Sequence, residues 1–226
     1  MTLYRTFPKA EYADDFMKGK VFISTLKRCR EMEDKIRQDP GEGTMTYHSG
    51  VIDGRDQAAS RIIRERFRFN TEGRVNFCNN TFMGRVPDAF IFCQTRTFAP
   101  KFGEHVVRID YPRLLFRVMS KALGAFDGTE KGWMKSVQYR DRVYAGLEPT
   151  PDVGFIKPVQ PFAKEREVRM VWPRISGKSV RPDGLFEITC PDAARHCTRL
   201  PYFHPRHHRS EPPLPPTGMY RLTPKK

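Results

Sequence analysis

The sequence predicts an α+β fold of mixed, mainly antiparallel sheets with a few short helices, and three observations carry that prediction. Segments with strand patterning outnumber segments with helical periodicity. The gaps between the later strand-like segments are of hairpin length, which favours antiparallel pairing. No Gly-rich phosphate loop of the Walker or Rossmann kind occurs, which argues against a doubly wound nucleotide fold.

Leu3 to Phe7 alternates apolar and polar residues as a first strand does, and Pro8 stops it. Lys9 to Lys18 places Tyr12, Ala13 and Phe16 on one helical face, with Gly19 positioned to cap that helix. Val21 to Ser24 follows as a second strand. Thr25 to Arg37 is a charged helical stretch that runs into the turn Asp39-Pro40-Gly41-Glu42-Gly43. Residues 44 to 55 read as loop or edge structure, and Gln57 to Arg66 as a basic helix. Val75 to Cys78, Ala89 to Thr95 and Val106 to Ile109 are strand-like, the middle one apolar enough to be buried on both faces. The helix from Asp110 to Gly124 is punctuated by Pro112 in its first turn and Gly124 at its end, with Leu115, Phe116, Met119 and Leu123 as its stripe. Ser136 to Tyr139, Glu165 to Trp172 and Leu185 to Cys190 complete the strands.

A chain of 226 residues suits one domain, here residues 1–200, and a tail from 201 to 226. Seven prolines fall in those last 26 residues, a composition of extended or disordered chain. Lys and Arg number 40 against 26 Asp and Glu, for a net charge of +14, which favours anionic partners such as nucleotides or nucleic acid. Five cysteines (Cys29, Cys78, Cys93, Cys190, Cys197) are odd in number and irregularly spaced, which fits no disulfide framework and suits a reducing compartment. Cys78 and Cys93 lie in apolar runs, where a thiol behaves as a small buried hydrophobe. The N-terminus lacks an apolar signal core, and no run approaches transmembrane length, so the expectation is a cytoplasmic protein with no membrane partner.

The segment Phe162 to Trp172 (FAKEREVRMVW) is the most informative. Strand alternation puts Val168, Met170 and Trp172 on one face and Glu165, Glu167 and Arg169 on the other, with the carboxylates about 7 Å apart by the strand repeat. Such a pair can stabilise a developing oxocarbenium ion, accept a proton or hold a sugar hydroxyl. A solvated face with charges paired across the ladder gives the same pattern. Near the start, Tyr4-Arg5 on one strand and Ser24-Thr25 at the end of the next combine an anion-binding guanidinium with hydroxyls, on strands that a short connection would make neighbours. Taken singly, these residues are more simply a surface arginine and a Ser-Thr cap of the following helix.

Taken in order, Leu-Tyr-Arg, a helix ending in Gly, Phe-x-Ser-Thr and a late Glu-x-Glu resemble the Arg-Ser-Glu pattern of ADP-ribosyltransferases. The chain is also similar to an uncharacterised bacterial family with a Leu-Tyr-Lys-Tyr opening, an Asn-Asp-Pro-x-Glu turn and a Phe-x-x-Glu-x-Glu-Trp-Arg strand. The matching stretches are Leu3-Tyr4-Arg5, Asp39-Pro40-Gly41-Glu42 and Phe162 to Arg169. The resemblance implies an ADP-ribosyltransferase-like fold with its sheets around a cleft. It also implies NAD⁺ as substrate, and transferase or NAD⁺ glycohydrolase activity, as in a bacterial or phage toxin or defence effector. Carried over, Tyr4 and Arg5 belong to the NAD⁺ site, with Arg5 holding a phosphate or the nicotinamide ribose. Ser24 and Thr25 brace the nicotinamide side, Glu167 is the catalytic carboxylate, and Glu165 orients an acceptor. Two departures stand out: Ser24 follows Arg5 by 19 positions, fewer than in many transferases, and Val168 replaces the family's Trp.

Other chemistries have their own residues. Glu33, Asp34, Asp39 and Glu42 near a turn suggest a Mg²⁺-dependent nuclease, without an accompanying nuclease signature. Arg64-Glu-Arg66-Phe67-Arg68-Phe69 interleaves cations and rings as a noncatalytic nucleic-acid binder does. Cys190, His196, Cys197, His204, His207 and His208 match no zinc spacing.

Overall fold

The run Ala89–Thr95, AFIFCQT, is apolar on both faces, and the main sheet is assembled around it. The structure, a computed structural model, describes residues 1–31, 38–67, 76–98, 102–128, 131–174 and 186–201. In chain order the elements are β1 (Leu3–Phe7), α1 (Ala10–Met17), β2 (Lys20–Thr25), α2 (Leu26–Glu31), β3 (Thr44–His48), β4 (Val51–Ile52), α3 (Gln57–Phe67), β5 (Phe77–Cys78), β6 (Thr81–Arg85) and β7 (Ala89–Thr95). They continue as β8 (His105–Ile109), α4 (Pro112–Asp127), β9 (Trp133–Ser136), β10 (Gln138–Tyr139), β11 (Val143–Ala145), β12 (Ile156–Lys157), α5 (Val159–Phe162), β13 (Glu167–Pro173), β14 (Phe186–Thr189) and β15 (Cys197–Arg199). The fold is α+β, and its sheets are antiparallel except for the short pairs β10–β12 and β3–β11. Among the described residues, no helix is long and apolar enough to cross a membrane.

One edge of β7 pairs with β13 along its whole length, from Ala89↔Pro173 to Thr95↔Glu167. The other edge is shared. β2 takes its first half (Ser24↔Ile91, Thr25↔Phe90), and β1 meets only its end (Tyr4↔Thr95). From there β1 leads outward to β8 and β15, and β2 leads to β14. Among the described residues, no strand is registered against positions 92–94 of that edge, and there the sheet divides into two wings.

Alternation along the strands assigns the two faces. Val168, Met170 and Trp172 join Leu3, Val21, Ile23, Phe90 and Phe92 in the main core, covered by Ala13 and Phe16 of α1 and by Leu115, Met119 and Leu123 of α4. The Trp172 indole donates to Ser120 Oγ at 2.8 Å, and Phe116 stacks on its ring at 5.2 Å, so the largest core side chain has its polar atom satisfied. A smaller cluster of Leu26, Ala89, Ile91, Phe155 and Val171 lies on the opposite face. Tyr47, Ile52, Ile63 and Phe77 form a third cluster under α3, where Phe67 packs against Phe82 at 4.7 Å.

Several expectations need correction. α4 runs past Gly124 to Asp127 and ends at Gly128, whose left-handed φ of 79° and bond back to the Gly124 carbonyl terminate it. Residues 44–48, read as loop or edge structure, form a strand paired on both sides, by β6 and β11, while residues 51–52 form a two-residue strand against β5. The strand expected from Glu165 starts at Glu167, for Arg166 adopts φ 46° and turns the chain there. Cys78 is exposed, since β5 is two residues long at the margin of the small module. Of the 201–226 tail, all but Pro201 lies outside the described residues, as does the helical stretch beyond Glu31.

Gly19 closes α1 as anticipated. Its φ is +85°, its carbonyl accepts from Cys190 N–H, and a Cβ there would stand 2.6 Å from Pro191 Cα. An alanine would meet both a disfavoured backbone region and a fixed neighbour. Gly19→Ala is expected to cost about 2–3 kcal/mol, lowering the thermal midpoint by roughly 5–10 °C in a circular-dichroism melt.

Candidate functional site

Where the sheet divides, a cleft of about 510 Å³ opens. Because it passes between the wings, it is lined from both sides of β7, by Phe92 and Gln94 as well as Ile91, Cys93 and Thr95. Arg5 reaches into the gap from β1: its guanidinium donates through Nη1 to the Cys93 carbonyl and lies over the Phe92 ring at 4.8 Å. This contact supplies the β7 edge with a donor where no strand does. From the other wing come Lys20, Phe22 and Ser24, the alternate residues of β2 whose neighbours Val21 and Ile23 are in the core.

Buried charges fill one end of the cleft. Arg169, 1% exposed, forms a two-pronged pair with Glu42, Nη1 to Oε1 and Nη2 to Oε2 both at 2.7 Å. Its Nε donates to Glu167 Oε1 at 2.5 Å, and Nη1 also donates to the Gly154 carbonyl at 2.9 Å. Lys157 Nζ stands 2.8 Å from Glu167 Oε2 and 3.1 Å from Glu165 Oε2. The two glutamates therefore meet on one ammonium, closer than the ~7 Å strand repeat would set them. Arg166 explains this geometry: its left-handed turn lifts Glu165 out of the strand and swings it back beside Glu167. Tyr139 completes the frame by accepting the Glu167 backbone N–H at 2.8 Å.

Electrostatics fixes what these groups can do. Burial works against charge on Glu167, but Arg169 and Lys157 outweigh it and hold the carboxyl well below its ordinary range. It is a permanent anion, suited to stabilising positive charge and unsuited to giving up a proton at neutral pH. Burial likewise opposes charge on Lys157, yet Glu167 and Glu165 keep it firmly protonated. Burial pushes the Cys29 thiol up to about 11 and raises that of Cys93 as well, so neither supplies a thiolate nucleophile at neutral pH.

Of the residues singled out from sequence, Tyr4, Arg5, Ser24, Glu165 and Glu167 all line this cleft. Thr25 does not. Its hydroxyl is buried and accepts the Arg28 N–H at 3.1 Å, so it caps α2. Arg5 and Ser24 are not on mutually paired strands either, because β1 and β2 each pair with β7, at separate positions along the same edge, and not with each other. Neither Glu165 nor Glu167 belongs to a solvated face: each is 3% exposed.

Of the acidic group suggested for a metal, two members are described, and each is held by an arginine. Glu42 is held by Arg169 and Asp39 by Arg142, while Glu33 and Asp34 lie outside the described residues. In the basic aromatic stretch, Arg66 is folded over Tyr47 at 4.6 Å and donates to the Gly146 carbonyl, and Phe67 is packed in the third cluster. Those two residues form no open stacking platform, and Arg68 and Phe69 lie outside the described residues. Lys157 and Gln94 were not singled out from the sequence. Neither sits in a local motif, and only the approach of β12 and β7 to β13 and β1 gives them a role. No family model, curated protein or solved structure matches the chain.

Two outcomes are expected from the charge cluster. Arg169→Leu leaves Glu42 and Glu167 buried without their shared cation and should destabilise the fold by about 3–5 kcal/mol in urea titration. Glu167, with its lowered folded-state value, contributes stability that is complete above its unfolded value of roughly 4.3 and is lost as pH falls below it. Unfolding free energy should accordingly decline below about pH 4, and Glu167→Gln should flatten part of that decline.

Proposed function

We propose that the cleft binds NAD⁺ and cleaves its nicotinamide–ribose bond, transferring ADP-ribose to an acceptor or to water. The observation that carries the reading is the convergence of Arg5, Ser24 and Glu167, distant in sequence, on one cleft of about 510 Å³. The charge distribution supports it as well. Arg5, Lys20 and Arg28 supply cationic groups for a diphosphate, while Glu165 and Glu167 supply anionic ones, matching a ligand with a negative middle and a positive pyridinium end. The sheet divided by a cleft suits an ADP-ribosyltransferase-like fold, and a toxin or defence effector is the corresponding biological role.

In this reaction the C1′–N bond breaks heterolytically, and its electron pair passes to the pyridinium nitrogen, so neutral nicotinamide leaves. The ribose carries the resulting positive charge at C1′ and the ring oxygen. Glu167, ionised throughout, stabilises that charge in a site where burial strengthens electrostatics. An acceptor oxygen or nitrogen, or water, then bonds to C1′ and loses its proton to solvent. Glu165, beside Glu167 across Lys157, is placed to orient the acceptor. Arg5 and Ser24 hold the dinucleotide.

Nicotinamide release by purified protein is the test. Glu167→Gln is expected to lower kcat by ~10²-fold or more, and Arg5→Ala to raise KM about tenfold or more through loss of a charge-assisted contact. A folded wild-type protein that releases no nicotinamide overturns the reading.

A further inference from the structure

We propose that Lys157 is the positioning residue of this cleft, the cation whose place between Glu165 and Glu167 lets two buried carboxylates occupy one end of it. The inference rests on the role given to Glu167 above.

Lys157 is delivered by two-residue β12, held in parallel register against β10 by Tyr139↔Lys157, and its carbonyl accepts the Arg140 N–H at 3.0 Å. Its side chain is 10% exposed and passes over the Phe162 ring, with Nζ 4.5 Å from the centroid. The charged and titratable groups around it come from every neighbouring element. They are Glu165 from the turn before β13, Glu167 and Arg169 from β13, Cys93 from β7 and Tyr139 from β10, with Glu42 and Cys29 behind Arg169.

Arg169 cannot do the work of Lys157. Both its Nη atoms are engaged by Glu42, leaving Nε alone for Glu167. Without Lys157, the buried carboxylates of Glu165 and Glu167 would lose the ammonium on which both of them meet. Like charges that close do not all stay ionised, and the Glu165–Glu167 pair would take up a proton. At neutral pH the proton would stand in for the lysine's charge, and the two carboxylates would no longer both be fixed anions, so Glu167 would spend part of its time neutral. Lys157 thus sets the pH range over which the carboxylates serve, without touching the ligand.

The experiment compares wild type, Lys157→Met, Lys157→Arg and Lys157→Met/Glu165→Gln by ¹³C NMR titration of labelled glutamate carboxyls and by NAD⁺ turnover against pH. In Lys157→Met, the pair should titrate above about pH 6. Its kcat at pH 7 should fall about tenfold or more and recover at higher pH, with KM nearly unchanged. Lys157→Arg should retain the wild-type titration. The double variant, which removes one charge of each sign, should return Glu167 to titrating at low pH.

If Lys157→Met alone unfolds while the double variant folds, the charge role is supported. If both unfold, or if the Lys157→Met titration matches wild type, Lys157 is a packing residue and the proposal fails. A wild type without NAD⁺ turnover overturns the functional reading only, because the titrations still decide the role of Lys157.

Discussion

Arg169 carries a full positive charge in a place with almost no access to water, and much of the architecture answers that constraint. A buried guanidinium is tolerable only when its donors are met by anions and carbonyls in good geometry. Glu42 arrives from the segment before β3, Glu167 from the same strand two residues earlier, and Gly154 contributes its carbonyl. One side chain thereby ties the entry of the small aromatic module to the central strands of the main sheet. The demand then propagates: Glu167, fixed by Arg169, is also fixed by Lys157, and Lys157 in turn collects Glu165.

The cleft exists because β7 has too little partner on one edge. β2 leaves it after Ile91 and β1 joins it only at Thr95. Open backbone in a protein interior has to be satisfied, and Arg5 reaches across to the Cys93 carbonyl to do so. Gln94 donates its side-chain amide to the Phe92 carbonyl in the same stretch. The discontinuity that opens room for a ligand therefore also recruits the polar side chains that line it. Aromatic rings of Phe7, Phe16 and Phe92 pack together along the cleft, and Arg5 rests on Phe7 and Phe92.

Some of this is legible in the sequence. Alternation in Val168, Met170 and Trp172 announces a core face whatever the strand pairs with, because the two-residue period is local. Gly19 signals the end of α1, for the left-handed residue after a helix is a local requirement. Gly124 misleads by the same logic. An apolar stripe continuing through Phe126 against Phe90 and Phe186 carries the helix on to Gly128. Thr25 also misleads, since a hydroxyl at a strand end serves a helix cap and a ligand equally well in sequence.

The sequence by itself determined the α+β class, the faces of its strands and helices, and the group of candidate residues that includes Arg5, Ser24 and Glu167. Each of these follows from short-range periodicity or from residue chemistry. Only the tertiary structure decided that β1 and β2 share one edge of β7 with a gap between them, that Arg166 folds Glu165 back beside Glu167, and that Lys157 stands between them. Those arrangements depend on pairings between segments far apart in the chain. No local pattern encodes where such segments meet; burial and charge neutralisation across the assembled sheet do.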